Sequence, residues 1–219
     1  GFRAGQVLAA RHQTAGRGRL QRTWQSGAGQ DLAFSFLWPF EPPERMVSLP
    51  MAAALAIADL LAVYGIEANT KWPNDVLVAR DKICGLLAEV AADASGRAVG
   101  LVVGVGLNVN MTAVEAASID RPATSMQMLT AGTHDVARVL DRLLPLLGAR
   151  LSQWRAGGFA AIKTDWQASA VWMNQPVELH TDTGPLTGTL RGYGDSGELL
   201  LEVDGRVRDI WSAELIRPR

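Results

Sequence analysis

The sequence predicts an α+β protein in which a mixed β-sheet is flanked by helices and followed by a small antiparallel β-barrel. Three observations predict this architecture. The chain has 219 residues, of which 48% are hydrophobic, so it can bury one substantial core. In residues 1–173, apolar segments of strand length alternate with longer segments of helical periodicity. In residues 174–219, short strand-like segments alternate with glycine turns, so we expect a second, smaller domain there.

The first elements of the larger domain are predicted from apolar runs and the residues that end them. Residues 32–38 are apolar and stop at Pro39, which indicates a buried strand before a loop. Residues 47–64 are rich in alanine and leucine and stop at Gly65. Because this segment is apolar nearly all round, we expect a well-buried helix with a glycine cap.

The middle of the chain predicts a hairpin. Residues 83–92 and 98–105 are apolar runs that flank a turn at Ser95 and Gly96. Before them, Pro73 argues against a regular central strand at the start of residues 70–78.

Helical periodicity returns after residues 113–132, which have no regular pattern. Residues 134–155 predict a helix that Pro145 should kink or break. A shorter helix is expected over residues 159–172. The predicted strands of the tail are residues 177–181, 186–193, 197–203 and 206–211. This tail fits either a structural cap on the larger domain or a module that binds a partner.

Composition narrows the function classes. The formal net charge is −1, so a global electrostatic attraction to nucleic acid or to an anionic membrane is not expected. The chain has one cysteine, Cys84, which excludes a disulfide framework and suits a reducing cytoplasm. No secretory signal is apparent, and the most apolar stretch, residues 47–63, is shorter than the roughly 20 residues of a membrane span. We therefore expect a soluble cytoplasmic protein.

A glycine- and arginine-rich segment near the start is the first candidate site. Between residues 11 and 24 there is no carboxylate but there are four arginines: Arg11, Arg17, Arg19 and Arg22. Gly16 and Gly18 allow backbone N–H groups to approach a ligand closely, and arginine forks suit carboxylate and phosphate. The segment predicts a loop that is mobile when empty and ordered by an anion. A solvated basic loop is the alternative.

Two further segments carry polar groups that could act on the same ligand. In KWPNDVLVARDK, Asp75 could hold a divalent metal and Lys82 could neutralise a phosphate or a reacting carboxylate. In GVGLNVN, the glycines leave room for a ligand ring, while Asn108 and Asn110 could bond a polar ligand. A dinucleotide fingerprint is rejected for this segment because the third glycine is absent.

The remaining reactive residues form no recognisable nucleophilic or metal-binding pattern. The three histidines are scattered, and Cys84 lies in an apolar run typical of a core position. There is neither a G-x-S-x-G elbow nor a Walker motif. The inventory favours charge neutralisation and positioning, which accelerate phosphoryl and adenylyl transfer.

Taken together and in this order, these segments resemble the biotin protein ligases, also called biotin–[acetyl-CoA-carboxylase] ligases. The matching residues are Gln13–Arg19 with Trp24, Lys71–Asp75, Lys82–Glu89 and Gly104–Asn108. The resemblance implies a class II synthetase-like catalytic fold and an SH3-like C-terminal domain.

The resemblance also implies a two-step reaction with biotin and ATP as substrates and Mg²⁺ as cofactor. Biotin would first form biotinyl-5′-AMP, and a lysine of the biotin carboxyl carrier protein would then accept the biotinyl group. The implied catalytic residues are Lys82, Arg17 and Asp75, and Asp75 is also the implied magnesium ligand. The implied biotin-binding residues are Gln13, Gly16, Arg17, Arg19, Lys82, Gly85, Leu87, Gly104 and Gly106. The implied nucleotide-binding residues are Arg19, Arg22, Trp24, Asn74 and Asn108.

Two departures from the family pattern shape the expectations about partners. No Ser/Thr-Asn motif precedes the glycine–arginine loop, so we expect that an upstream biotin-binding element is missing. No helix-turn-helix segment precedes it either, so nucleic acid is not an expected partner. Sheet-edge homodimers occur in the family, which makes a homodimer one expected state.

Two alternatives from different classes stay open. A lipoate or octanoate ligase would share the fold, but such enzymes generally carry an Arg-Arg-x-Ser-Gly-Gly-Gly stretch, where this chain has GRGRLQRTW. A non-catalytic biotin- or nucleotide-binding module would bind its ligand without releasing pyrophosphate.

Overall fold

A six-stranded antiparallel sheet forms the framework of the larger part of the protein. The computed structural model describes residues 5–19, 22–39 and 43–216. The strands are β1 (Val7–Ala10), β2 (Leu32–Pro39), β3 (Asn69–Lys71), β4 (Asp75–Val78), β5 (Asp81–Ala92) and β6 (Ala98–Leu107), in the spatial order β1-β2-β6-β5-β4-β3. The predicted hairpin is confirmed as β5 and β6.

The ladders between neighbouring strands of this sheet are all antiparallel. Parallel pairing within the described ranges is limited to two isolated bridges, Thr70 with Ala170 and Lys82 with Ala123. The α+β class is therefore confirmed, and the mixed character of the sheet rests on these two bridges alone.

Six α-helices occur in the described residues, and the two longest pack against the sheet. The helices are α1 (Pro43–Met46), α2 (Leu49–Val63), α3 (Ala113–Ala117), α4 (Met126–Thr130), α5 (Val136–Gly157) and α6 (Lys163–Ser169), with a 3₁₀ helix at Gly158–Ala161. Helix α2 packs between the sheet and α5, which explains why the sequence of this helix is apolar nearly all round.

Several predicted elements differ from the observed ones. Helix α1 begins inside the predicted loop 39–45, of which residues 40–42 lie outside the described residues. The stretch 113–132 is not irregular, because α3 and α4 form within it behind side-chain caps at Thr112 and Ser125. Helix α5 continues unbroken through Pro145, since buried leucines on its inner face pack it against α2.

The C-terminal residues form a second antiparallel sheet. Its strands are β7 (Pro176–Thr181), β8 (Gly184–Tyr193), β9 (Leu199–Val203), β10 (Arg206–Ile210) and β11 (Glu214–Ile216), in the order β10-β9-β8-β7-β11. Among the residues described, no ladder joins β10 to β11, so the SH3-like barrel remains a prediction.

Buried contacts join the two sheets. The indole Nε1 of Trp72 donates to the carbonyl oxygen of Gly197 at 3.0 Å. The rings of Trp166 and Tyr193 meet edge to face with their centroids 5.9 Å apart. The core therefore continues from the larger sheet into the smaller one, and the boundary predicted after residue 173 stays a prediction.

Candidate active site

A cleft of about 880 Å³ opens on the face of the six-stranded sheet opposite helix α2. The alternation of side chains along β6 accounts for it: Val103 and Val105 are buried in the core, while Gly104 and Gly106 face the cleft. On β5, Gly85 lies directly opposite Gly106. The missing side chains leave a flat floor on which a planar group can lie.

The indole of Trp24 rests on this floor. A Cβ atom added to Gly106 would lie 2.3 Å from Trp24 Cε2, and one added to Gly85 would lie 3.2 Å from Trp24 Cζ3. Indole Nε1 of Trp24 is buried and has no hydrogen-bond partner within the described part of the chain. The floor thus accepts a ring only because glycine occupies both positions.

The glycine–arginine loop folds over the cleft as a small hairpin. Gly18 N–H donates to the Arg22 carbonyl at 2.7 Å, and Trp24 N–H donates to the Gly16 carbonyl at 3.0 Å. Gly16 is buried beneath this hairpin, where a Cβ would lie 2.4 Å from the Trp24 carbonyl oxygen, and it does not line the cleft. Position 16 requires glycine because the turn of the loop leaves no space there for a side chain.

Groups from other elements hold the arginines of the loop. Arg17 pairs with Glu89 at 2.8 Å, and Arg19 donates to Asn74 Oδ1 at 3.2 Å. Arg22 makes a bidentate pair with Glu214 of β11, with distances of 2.9 and 2.8 Å. The loop lacks carboxylates of its own, and these contacts supply acceptor oxygens to its arginines from other parts of the chain.

Lys82 and Asp75 form an ion pair beside the glycine floor. Lys82 Nζ lies 2.6 Å from Asp75 Oδ1 and 5.8 Å from the centre of the Trp24 ring. The main chain of Lys82 is fixed on both sides: its N–H donates to Pro122 O, and its carbonyl accepts from Thr124 N–H, each at 3.0 Å. The ammonium therefore lies beside the glycine floor, where one end of a ligand on the floor would be.

Two asparagines brace this arrangement. Asn74 holds Arg19 through Oδ1 and donates through Nδ2 to the carbonyl of Leu86 on β5. Asn108 donates through Nδ2 to Thr124 O at 2.9 Å, which leaves Oδ1 without a partner among the described residues. Asn110, by contrast, exchanges two hydrogen bonds of 2.8 Å with the backbone of His134, so its expected role as a ligand contact is wrong.

Every residue that the family resemblance implies for the site, except Gly16, lines this one cleft, and Asn110 does not line it either. Four further charged residues also line it. Lys71 and Glu89 stand in the matched motifs without a predicted role, and Glu214 and Arg121 lie outside every motif. Glu214 accepts hydrogen bonds from Arg22 and Arg121, and the bond to Arg22 is the main reason that the pKa of Glu214 is lowered to about 2. Burial lowers the pKa of Lys71 and of Arg19.

Comparison with known proteins agrees with this geometry. A model of the Biotin/lipoate A/B protein ligase family matches residues 2–108. The biotin–[acetyl-CoA-carboxylase] ligase of Mycobacterium tuberculosis is 35% identical over 98% of this chain and 80% of its own length. The chain belongs to the biotin protein ligase family.

Other members of the family extend the comparison. The bifunctional ligase/repressor BirA of Bacillus spizizenii is 32% identical over 96% of this chain, and the match spans 66% of that relative's length. The biotin protein ligase of Aquifex aeolicus, solved in complex with biotin and ATP, superposes with a TM-score of 0.84 at 29% identity. That superposition covers 100% of this chain and 91% of the Aquifex chain.

Three further observations on this member of the biotin protein ligase family concern membrane-spanning helices, metal-binding clusters and its single cysteine. None of its described helices is both long and apolar enough to cross a bilayer. No cluster of three or more His, Cys, Asp or Glu side chains suited to a metal ion occurs in residues 5–19, 22–39 and 43–216. Cys84 is buried, and burial raises its pKa, as expected for a core thiol.

Proposed function

We propose that this protein attaches biotin to a lysine of a biotin carboxyl carrier protein through biotinyl-5′-AMP. The observation that carries the proposal is the Lys82–Asp75 pair at the end of a glycine floor, under a loop of three arginines that are held by other elements. The membership of the chain in the biotin protein ligase family supports the same reaction.

The first step must bring two anions together. Two like unit charges about 4 Å apart repel by roughly 4 kcal/mol at an effective dielectric constant of 20. Lys82 is placed to contact both the biotin carboxylate and the α-phosphate, so that its charge offsets this repulsion. A carboxylate oxygen then forms a bond to the α-phosphorus, and the bond to the β-phosphate oxygen breaks to release pyrophosphate.

The cleft offers separate surfaces to the two substrates. The biotin rings would lie on the floor formed by Gly85, Leu87, Gly104 and Gly106, with Gln13 and Arg17 above them. Asn108 Oδ1 is available to accept a hydrogen bond from the nucleotide base. Arg19 and Arg22 would meet the phosphates, and the Trp24 indole would move off the floor to cover the nucleotide.

Magnesium would fit the site through Asp75. Mg²⁺ commonly uses one or two carboxylates together with phosphate oxygens and water, so the single carboxylate beside Lys82 suffices for an ion that arrives with ATP. Such an ion supplies additional neutralisation of phosphate charge. Asp75 itself orients the Lys82 ammonium, which it contacts at 2.6 Å.

In the second step the carrier is the acceptor. The neutral amine of a carrier lysine attacks the acyl carbon of the adenylate, the bond to AMP breaks, and the nitrogen loses a proton. A homodimer formed through a sheet edge belongs to the same proposal, and light scattering of the purified protein tests it.

Identification of the adenylate tests the proposal. The protein is incubated with MgATP and either biotin or lipoate, and the products are separated by mass spectrometry while pyrophosphate release is recorded. We expect biotinyl-AMP together with pyrophosphate. Lipoyl-AMP as the main product would assign the lipoate reaction instead, and biotin binding without pyrophosphate would assign a binding module.

A further inference from the structure

Among the described residues, Lys71 is the cleft cation that has no oxygen partner. Six arginine or lysine side chains line the cleft together with four carboxylates. Five of these cations contact a carboxylate or amide oxygen: Arg17, Arg19, Arg22, Lys82 and Arg121. Lys71 makes neither an ion pair nor a side-chain hydrogen bond within residues 5–19, 22–39 and 43–216. A partly buried ammonium in this condition is ready to bind an anion.

The segment that connects the two sheets holds Lys71 in place. Lys71 Nζ lies 5.7 Å from the centre of the Trp172 ring, within the range of a cation–π interaction. The connection is fixed to β3, because Val171 N–H donates to Thr70 O at 2.9 Å. Trp172 has φ 62°, a conformation that is unusual for a bulky residue and that persists where surrounding contacts impose it.

The position of Lys71 in the sheet indicates which part of the ligand it meets. Lys71 lies opposite Asp75 in the β3–β4 ladder, and Asp75 lies opposite Gly85 of the floor. Lys71 is therefore two strands beyond Gly85, which is about 10 Å at the usual strand spacing. The attacking and leaving oxygens of phosphoryl transfer lie roughly in line across the phosphorus, so a carboxylate on the floor expels pyrophosphate away from the floor.

We propose that Lys71 binds the β- and γ-phosphates of ATP and the pyrophosphate that they become, with Trp172 as its positioning residue. This inference rests on the proposed adenylation reaction. It assigns Lys82 to the reacting centre and Lys71 to the leaving group. The nearby Arg121, unlike Lys71, pairs with Glu214 at 2.6 Å.

The test is Lys71→Met, with Lys163→Met as a matched control. Lys163 pairs with Asp195 on the smaller sheet and does not line the cleft. Loss of a charge-assisted contact predicts a KM for ATP and an inhibition constant for pyrophosphate that are each about 10- to 100-fold higher in Lys71→Met. The KM for biotin should stay within about twofold of the parent value, and Lys163→Met should match the parent throughout.

Transfer from purified biotinyl-5′-AMP to the carrier separates this role from others. That half-reaction contains no polyphosphate, so Lys71→Met should transfer at the parent rate. A fall in transfer comparable to the fall in adenylation would show that Lys71 serves the acyl group or the carrier, and would overturn the inference. Unchanged ATP and pyrophosphate constants would overturn it as well.

Trp172 variants supply a second, independent readout. Trp172→Leu should raise the KM for ATP and leave transfer intact, and Trp172→Phe, which keeps an aromatic face, should restore most of the affinity. Equal behaviour of the two variants would contradict the positioning role.

The failure of the proposed function and the failure of this inference give different results. A parent protein that makes no biotinyl-AMP would refute the proposed function itself. An active parent, together with ATP and pyrophosphate constants that Lys71→Met leaves unchanged, would refute only the present inference.

Discussion

The substitution Gly104→Ala tests whether the glycine floor is a ligand surface. A Cβ at this position would lie 3.7 Å from both the Leu87 carbonyl oxygen and Ser35 Oγ, which are ordinary contacts. The fold therefore accommodates the methyl group without rearrangement, and the group projects into the cleft. Any change in affinity then reports on the ligand rather than on the fold.

The size of the effect follows from overpacking. A methyl group forced into a filled site costs about 1–3 kcal/mol, which corresponds to a roughly 5- to 150-fold weaker biotin affinity. Isothermal titration calorimetry with biotin measures the affinity, and thermal melting checks the fold. We expect the melting temperature of Gly104→Ala to stay close to that of the parent.

The matched control is Gly148→Ala on α5. A Cβ at Gly148 meets nothing within 4 Å, and alanine is favoured over glycine in a helix by about 1 kcal/mol. This variant should bind biotin as the parent does and melt a few degrees higher. Unchanged biotin affinity in Gly104→Ala, with an intact fold, would refute the reasoning that places the ligand on the floor.

Three further predictions concern charged groups. Lys82→Ala should slow adenylation by about 10²- to 10³-fold, as measured by pyrophosphate release, and a parent-like rate would remove Lys82 from the reacting centre. Glu214→Gln should raise the KM for ATP because Arg22 and Arg121 lose their shared charged partner. Since the pKa of Glu214 is lowered from 4.5 to about 2, its stabilising contribution is complete above about pH 4.5 and is lost as the pH falls to about 2. The difference in melting temperature between parent and variant should therefore shrink over this pH range. Arg150→Met breaks the link to Asp59 of α2 and Asp165 of α6, and it should reduce the free energy of unfolding by about 1–2 kcal/mol without changing the KM for either substrate.

The sheet that carries the site was predictable because its signals are local. The glycines of GVGLNVN indicated room for a ligand ring against the backbone, and the apolar runs on both sides of Ser95 indicated the hairpin. Helix α3 was equally readable, since Thr112 and Glu115 form a capping box that the sequence analysis overlooked.

The remaining parts of the site depend on contacts between distant segments. Nothing in the sequence around Glu214 indicates that it will reach Arg22, because the docking of the smaller sheet brings them together. Lys71 stood in a recognised motif, yet only the structure shows that its ammonium contacts an aromatic ring and, in the part of the chain that is described, no carboxylate. Gly16 was predicted to contact biotin because a motif match does not distinguish a residue that lines the cleft from one that forms the supporting turn.

The intact mass of a biotin carboxyl carrier domain, after incubation with this protein, biotin and MgATP, tests the central claim most directly. The account predicts that the mass of the carrier increases by one biotinyl group. It also predicts no increase when the target lysine of the carrier is replaced by arginine. An unchanged mass, with a carrier that an established biotin ligase does modify, would contradict it.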